Sequence, residues 1–124
     1  MENKKILICD DDAGILYTIE MLLEDEGFTV FTEINSVNVI KHIKEIKPDL
    51  ILLDLWMPLL SGDQVLKLIR NDADIKHIPV VVLSASRDGD KIAFEAGANS
   101  FIFKPFDIDH LLKTISDFVT VPIL

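Results

Sequence analysis

The sequence predicts a doubly wound α/β fold, and three observations carry that expectation. Short apolar runs alternate with helical patterns five times along the chain, which is the rhythm of strand–helix units. Three of the runs, Ile6-Leu7-Ile8-Cys9, Leu50-Ile51-Leu52-Leu53 and Val80-Val81-Val82-Leu83, are apolar without alternation, as strands covered on both faces require. The helical patterns between the runs are about 10–15 residues long, enough for right-handed crossovers between parallel strands.

Each element has its own signal. The first run, Ile6 to Cys9, is followed by a helical stripe of Ile15, Ile19, Leu22 and Leu23. Gly27 lies just beyond it, where a left-handed residue commonly ends a helix. The second run, Phe28-Thr29-Val30-Phe31, is short and flanked by polar residues, which suits an edge strand. Val39, Ile43 and Ile46 mark the second helix, and Leu50 to Leu53 the third strand. Ser61-Gly62-Asp63-Gln64 reads as a capping box opening a third helix with the stripe Val65, Leu68 and Ile69. After Val80 to Leu83 comes a short, weakly amphipathic helix over Asp90 to Ala96. Phe101-Ile102-Phe103 is the fifth strand, and Asp107 caps a last helix carrying Leu111, Leu112, Ile115 and Phe118. No linker, repeat or low-complexity segment interrupts this order, so one domain is expected over residues 1–124.

Composition narrows the function. A net charge of −9 opposes binding to nucleic acid and to anionic membranes. The lysines are scattered, with small groups at Lys4-Lys5 and at Lys41, Lys44 and Lys47 that read as solvated faces. Cys9 is the only cysteine, so no intrachain disulfide can form, and its apolar setting reads as core. No apolar stretch approaches the ~18 residues of a membrane span, and no signal-peptide core opens the chain. A reducing, cytoplasmic setting is expected. The absence of a G-x-x-x-x-G-K-[ST] loop leaves nucleotide hydrolysis without support.

Ligands of an open parallel sheet bind at the carboxyl ends of its strands. Asp10-Asp11-Asp12 leave the first strand, Asp54 the third, Ser84-Ala85-Ser86 the fourth and Lys104-Pro105 the fifth. Thr32-Glu33, after the second, offers nothing obvious. Singly, Asp12 is a helix cap, Ser84 a turn residue and Lys104 a solvated lysine. Together they bring acids, a hydroxyl and a lysine to one end of the sheet. Asp10, Asp11 and Asp54 placed close together would repel one another, and a hard divalent cation such as Mg²⁺ relieves that repulsion. A carboxylate beside Mg²⁺, with a lysine and a hydroxyl aimed at the same volume, suits a phosphoryl group. Such a carboxylate can also be the nucleophile that forms an aspartyl phosphate.

The stretches "ILICDDD", "LILLDLWMPLLSG", "VVVLSAS" and "FIFKPF", in that order, resemble the receiver domains of two-component response regulators, chiefly single-domain chemotaxis-type regulators. The likeness runs from Lys4 to Val119. It implies a flavodoxin-like sheet of order 2-1-3-4-5 with five helices. It also implies a switch, not an enzyme, that takes a phosphoryl group from a phosphohistidine of a sensor kinase or phosphotransfer protein and loses it slowly. Asp54 would be the phosphoacceptor. Asp10 and Asp11, with Asp54 and the Trp56 backbone carbonyl, would hold Mg²⁺, or Mn²⁺ in its place. Ser84, the Ala85 backbone N–H and Lys104 would bind the phosphoryl oxygens, and the Lys104–Pro105 peptide would be cis.

Phe101 stands at the family's aromatic switch position, where Tyr is common. Lacking a hydroxyl, it could turn inward but not hydrogen-bond, and plain core packing is the alternative. Trp56 and Ser86 stand where residues govern water's access to the phosphoryl group. Trp56 would lengthen the phosphorylated lifetime, against the alternative of an indole lying on the surface beside Met57 and Pro58. The segment from Ser84 to Lys104 is shorter than usual, trimming the fourth helix or the loop before it. The output face next to it would meet an unidentified downstream protein or a second copy of the chain.

Two other readings compete with this one. An aspartyl-phosphate phosphatase of the haloacid dehalogenase type needs a second acid where Trp56 stands and room for a cap domain. A receiver-like binding module that takes no phosphate would be signalled by loss of an acid or of the lysine, and all are present. After Val119 only "TVPIL" remains, so the chain reads as a stand-alone receiver or as a piece of a longer regulator or hybrid kinase.

Overall fold

A computed structural model describes residues 3–120; the tail beyond Thr120, and with it the outer limits of the expected domain, lie outside the described residues. Five parallel strands alternate with five α-helices. In chain order these are β1 (Lys5–Cys9), α1 (Ala13–Asp25), β2 (Thr29–Glu33), a 3₁₀ turn (Ser36–Asn38), α2 (Val39–Ile46), β3 (Leu50–Asp54), α3 (Gly62–Arg70), β4 (Val80–Ser84), α4 (Gly89–Ala96), β5 (Ser100–Phe103) and α5 (Ile108–Ser116). The sheet order is β2-β1-β3-β4-β5, the flavodoxin-like arrangement. The order steps from β1 outward to β2 and then back past β1 to β3. A crevice therefore opens above the carboxyl ends of β1 and β3.

Side chains alternate across the sheet and divide the core in two. Leu7, Cys9, Ile51, Leu53, Val80 and Val82 face α2, α3 and α4, where they meet Val39, Ile43, Val65, Leu66, Ile69 and Ala93. Ile6, Ile8, Leu50, Leu52, Val81, Leu83 and Ile102 face α1 and α5, where they meet Leu16, Ile19, Leu23, Leu111 and Ile115. Every residue of β3 and β4 is buried, which is why those runs show no alternation in sequence. The edge strands β2 and β5 are only partly covered.

The helix boundaries follow their caps. Asp12 accepts from the N–H groups of Gly14 and Ile15, at 2.9 and 3.2 Å, and opens α1. The Ser61 N–H donates to Gln64 Oε1 at 3.0 Å, which closes the capping box of α3. Asp107 accepts from the His110 N–H at 2.7 Å to start α5. Gly27 adopts the left-handed conformation, φ 95°, just after α1.

Two apolar stripes are placed differently from the sequence reading. In α3 the buried line is Val65, Leu66 and Ile69, while Leu68 is 48 % exposed. Spacings of i, i+1, i+4 and of i, i+3, i+4 both fit a helical face, and only the docking of α3 decides between them. In α1 Leu16 joins Ile19 and Leu23 on the inner line, with Ile15 packed at its margin.

Candidate functional site

The strand register brings the polar residues together. Cys9 pairs with Leu53 and Asp54 with Leu83, so Asp10 and Asp54 leave neighbouring strands at almost the same height. The Asp10 N–H remains tied to the Glu33 carbonyl at 3.2 Å, and the Leu55 N–H to the Leu83 carbonyl at 3.1 Å. Lys104 follows β5, and its own N–H donates to the Ser84 carbonyl at 3.0 Å. The site is thus mounted on strand ends and not on mobile loops.

Lys104 Nζ donates to Asp10 Oδ2 and to Asp54 Oδ1, each at 3.0 Å. Asp10 and Asp54 are 1 % and 6 % exposed, whereas Asp11 lies in solvent. The second oxygen of Asp10 accepts from the Asp12 N–H at 2.9 Å. Burial pushes the Asp54 carboxyl up to about 6; the Lys104 hydrogen bond opposes this, and the charges of Asp10 and Asp11 add to it. Burial works against the Lys104 ammonium, but its bonds to Asp10 and Asp54 outweigh that and raise its pKa.

One carboxylate oxygen from each of Asp10, Asp11 and Asp54 lies within 4.8 Å of the others. All three donors are oxygens and one side is open, which fits a hard divalent cation that keeps part of its water shell. Cys9 is buried directly beneath, and its burial raises the thiol pKa far above the usual range, so it takes no part as a thiolate.

The other expected residues surround this cluster. Ser84 is buried at the end of β4, and its Oγ accepts from the Ser86 N–H at 3.0 Å. Ala85 is exposed and Ser86 half-buried. The Lys104–Pro105 peptide is cis. Phe101 is half-buried against the core under α4 and stacks edge-on with Phe103 at 4.7 Å between centroids. Its ring lies so near Gly89 that a Cβ there would come within 3.0 Å of it. The Trp56 indole is 51 % exposed. Asp12 faces its helix and caps it.

Two residues that shape the site carry no chemical signal in the sequence. Gly62, which closes the stretch "LILLDLWMPLLSG" and belongs to a capping box, donates its N–H to the Leu55 carbonyl at 2.6 Å. A Cβ at this position would overlap the Asp54 carbonyl oxygen and the Leu55 backbone. Ser36, between β2 and α2, is 3 % exposed and bonds to the loop after Asp54. A glycine at a first helical position, closing one of the stretches that resemble receiver domains, hints at the former; nothing local marks the latter.

The family model of the response regulator receiver domain matches residues 6–116. The chain is 36 % identical over 117 residues to the transcriptional regulatory protein PrrA of Mycobacterium leprae, covering 93 % of this chain and 49 % of PrrA. It is 35 % identical over 113 residues to the response regulator Rre1 of a Synechocystis strain, covering 89 % of this chain and 49 % of Rre1. The chain thus spans about half the length of the curated relatives it matches. Among solved structures, chemotaxis protein CheY4 of Vibrio cholerae superposes with a TM-score of 0.88 at 26 % identity, covering 95 % of this chain and all of CheY4. The receiver domain of NtrX from Brucella abortus superposes with a TM-score of 0.83 at 29 % identity, covering 90 % of this chain and 95 % of that domain.

Proposed function

The chain belongs to the response regulator receiver domain family, and on that premise we propose that it is a phosphorylation-controlled signalling switch with Asp54 as its phosphoacceptor. The observation that carries this reading is the bridge from Lys104 Nζ to both Asp10 and Asp54 at the carboxyl end of the sheet. An Asp54 oxygen attacks the phosphorus of a phosphohistidine, the P–N bond breaks, and the imidazole nitrogen leaves with the electron pair. Asp10, Asp11, Asp54 and the Trp56 carbonyl are the residues to hold Mg²⁺, or Mn²⁺ in its place. The ion supplies positive charge for the phosphoryl oxygens.

Lys104, already aimed at Asp54, is the cationic partner for one phosphoryl oxygen, and Ser84 Oγ with the Ala85 N–H serves another. Drawing Ser84 toward the phosphoryl group alters packing near Phe101, which is the route from the site to α4 and β5. Phe94 and Phe103 are each about half exposed on that side, which suits an output partner or a second copy. Beside Lys104 a largely apolar groove of about 680 Å³ runs between Ile15, Thr18 and Leu22 of α1 and Phe106 and Ile108. A helix of the phosphodonor, a sensor histidine kinase or a histidine phosphotransfer protein, fits there.

We infer a cytoplasmic setting from the family; among the described residues no helix is long and apolar enough to cross a membrane. The net charge of −9 leaves direct nucleic-acid contact to other polypeptide or other domains.

Incubation with acetyl phosphate and Mg²⁺, followed by intact-mass measurement, tests the reading. Wild type should gain one phosphate and Asp54→Ala none. A wild type that gains nothing would instead mark a receiver-like module that works by binding alone.

A further inference from the structure

The loop between β3 and α3, residues 55–61, contains the one strained residue near the site. Leu59 has φ 71°, a region that a residue with a side chain enters only at a cost. Its side chain is 79 % exposed, so packing does not compensate. The Leu60 N–H donates to the Pro58 carbonyl at 2.9 Å, closing a three-residue turn around Leu59. Strain of this kind persists only where neighbouring groups over-determine the backbone.

Those neighbouring groups belong to one distant side chain. Ser36 Oγ donates to the Pro58 carbonyl at 2.6 Å and accepts from the Leu60 N–H at 3.1 Å. It therefore holds both ends of the strained turn. Ser36 is itself anchored, because Asn35 Oδ1 accepts from the Val37 N–H at 3.1 Å and the Asn35 N–H donates to Glu33 Oε2 at 3.0 Å. The base of the loop is pinned separately by the Gly62 N–H on the Leu55 carbonyl. Trp56 lies between the two fixings. Asp11 lines the same small hollow as Ser36, Pro58 and Leu59, so the bracket adjoins the acidic cluster.

We propose that Ser36 is a positioning residue for the divalent-cation site: by bracketing the turn at Leu59 it fixes the loop that carries the Trp56 carbonyl and so sets the site's cation affinity. This rests on the metal-site reading above. Outer groups that orient metal ligands commonly change affinity by ~10–100-fold when removed, and a buried hydroxyl with two bonds is such a group.

The test is titration of the metal-free protein with MgCl₂, read by the fluorescence of Trp56, the only tryptophan. The rise in thermal midpoint on adding Mg²⁺ provides a second readout. Ser36→Ala should raise the Mg²⁺ dissociation constant about tenfold with its circular dichroism unchanged. Arg70→Ala, which removes bonds to the Gly97, Lys76 and Ile78 carbonyls at the opposite end of the sheet, should leave the constant where it was. Equal constants for Ser36→Ala and wild type overturn the role of Ser36, and so does an equal shift in Arg70→Ala. A wild type that gives neither a fluorescence response nor a thermal shift overturns the metal-site reading itself. Should Ser36→Ala not fold, Ser36→Cys, similar in size but a weak hydrogen-bonding group, carries the same comparison.

Discussion

In the proposed role of phosphoacceptor Asp54 must be ionised, yet it is 6 % exposed and its carboxyl is pushed from 3.8 up to about 6. The native protein without metal therefore binds this proton more tightly than the unfolded chain does. By linkage, stability falls as pH rises from the unfolded value through about 6, and the full cost is present above that. At roughly 1.4 kcal/mol per unit, the ionised carboxylate costs up to about 3 kcal/mol. In EDTA at neutral pH, Asp54→Asn should thus stabilise the fold by about 1–3 kcal/mol, with the gain shrinking as pH falls below about 6. Thermal unfolding across that range is the check, and a variant less stable than wild type throughout would refute the account. Trp56 calls for a kinetic measurement. If its half-exposed indole limits the approach of water to the proposed phosphoryl group, Trp56→Asn should lose the group several-fold faster. Equal dephosphorylation rates would leave Trp56 as a surface residue only.

At the level of elements, the β3–α3 connection holds the sharpest constraints. Any side chain at residue 62 collides with the Asp54 carbonyl, so Gly62→Ala must move either α3 or the end of β3. A loss of about 1–3 kcal/mol in denaturant unfolding is expected, together with slower phosphorylation. Leu59→Gly should act in the opposite sense, gaining about 1 kcal/mol by removing the left-handed penalty. These contrasts explain what could be read in advance. Asp10, Asp54, Ser84 and Lys104 were visible because each ends an apolar run, and a parallel sheet places all such ends on one side. The caps at Asp12, Ser61 and Asp107 were legible because their signals are local, whereas the strand order was implied only by the resemblance to receiver domains. The choice of Leu66 over Leu68 depends on helix rotation, the bracket from Ser36 on residues far apart in sequence, and the closeness of Gly62 to Asp54 on the path of the loop between them. No local pattern records them.

The molecule as a whole separates stability from chemistry along the strands. The carboxyl ends hold a buried ion cluster and a strained loop, both of which cost free energy. The amino ends of β4 and β5 hold a clamp built on Arg70, at the end of α3. Its Nε donates to the Gly97 carbonyl at 2.9 Å, and its guanidinium reaches the carbonyls of Lys76 and Ile78 at 3.0 and 2.8 Å. It also meets Asn99 Oδ1 at 2.7 Å, and that oxygen accepts from the Val80 N–H as well, at 2.8 Å. One side chain thus joins α3, the approach to β4 and the turn from α4 into β5. Gly97, left-handed at φ 110°, leaves room for the Arg70 chain, since a Cβ there would come within 2.9 Å of it. Hydrogen bonds to a charged group contribute about 1.5–3 kcal/mol each when removal leaves a partner unsatisfied, but the exposed half of this set can turn to water. Arg70→Ala should therefore lower unfolding free energy by about 2–4 kcal/mol in a urea titration. Because the clamp lies at the far end of the strands from Asp54, the rate of phosphorylation by acetyl phosphate should stay within about twofold of wild type at a temperature where both are folded. A matching fall in that rate would mean that the two ends of the sheet are coupled and that the clamp belongs to the switch.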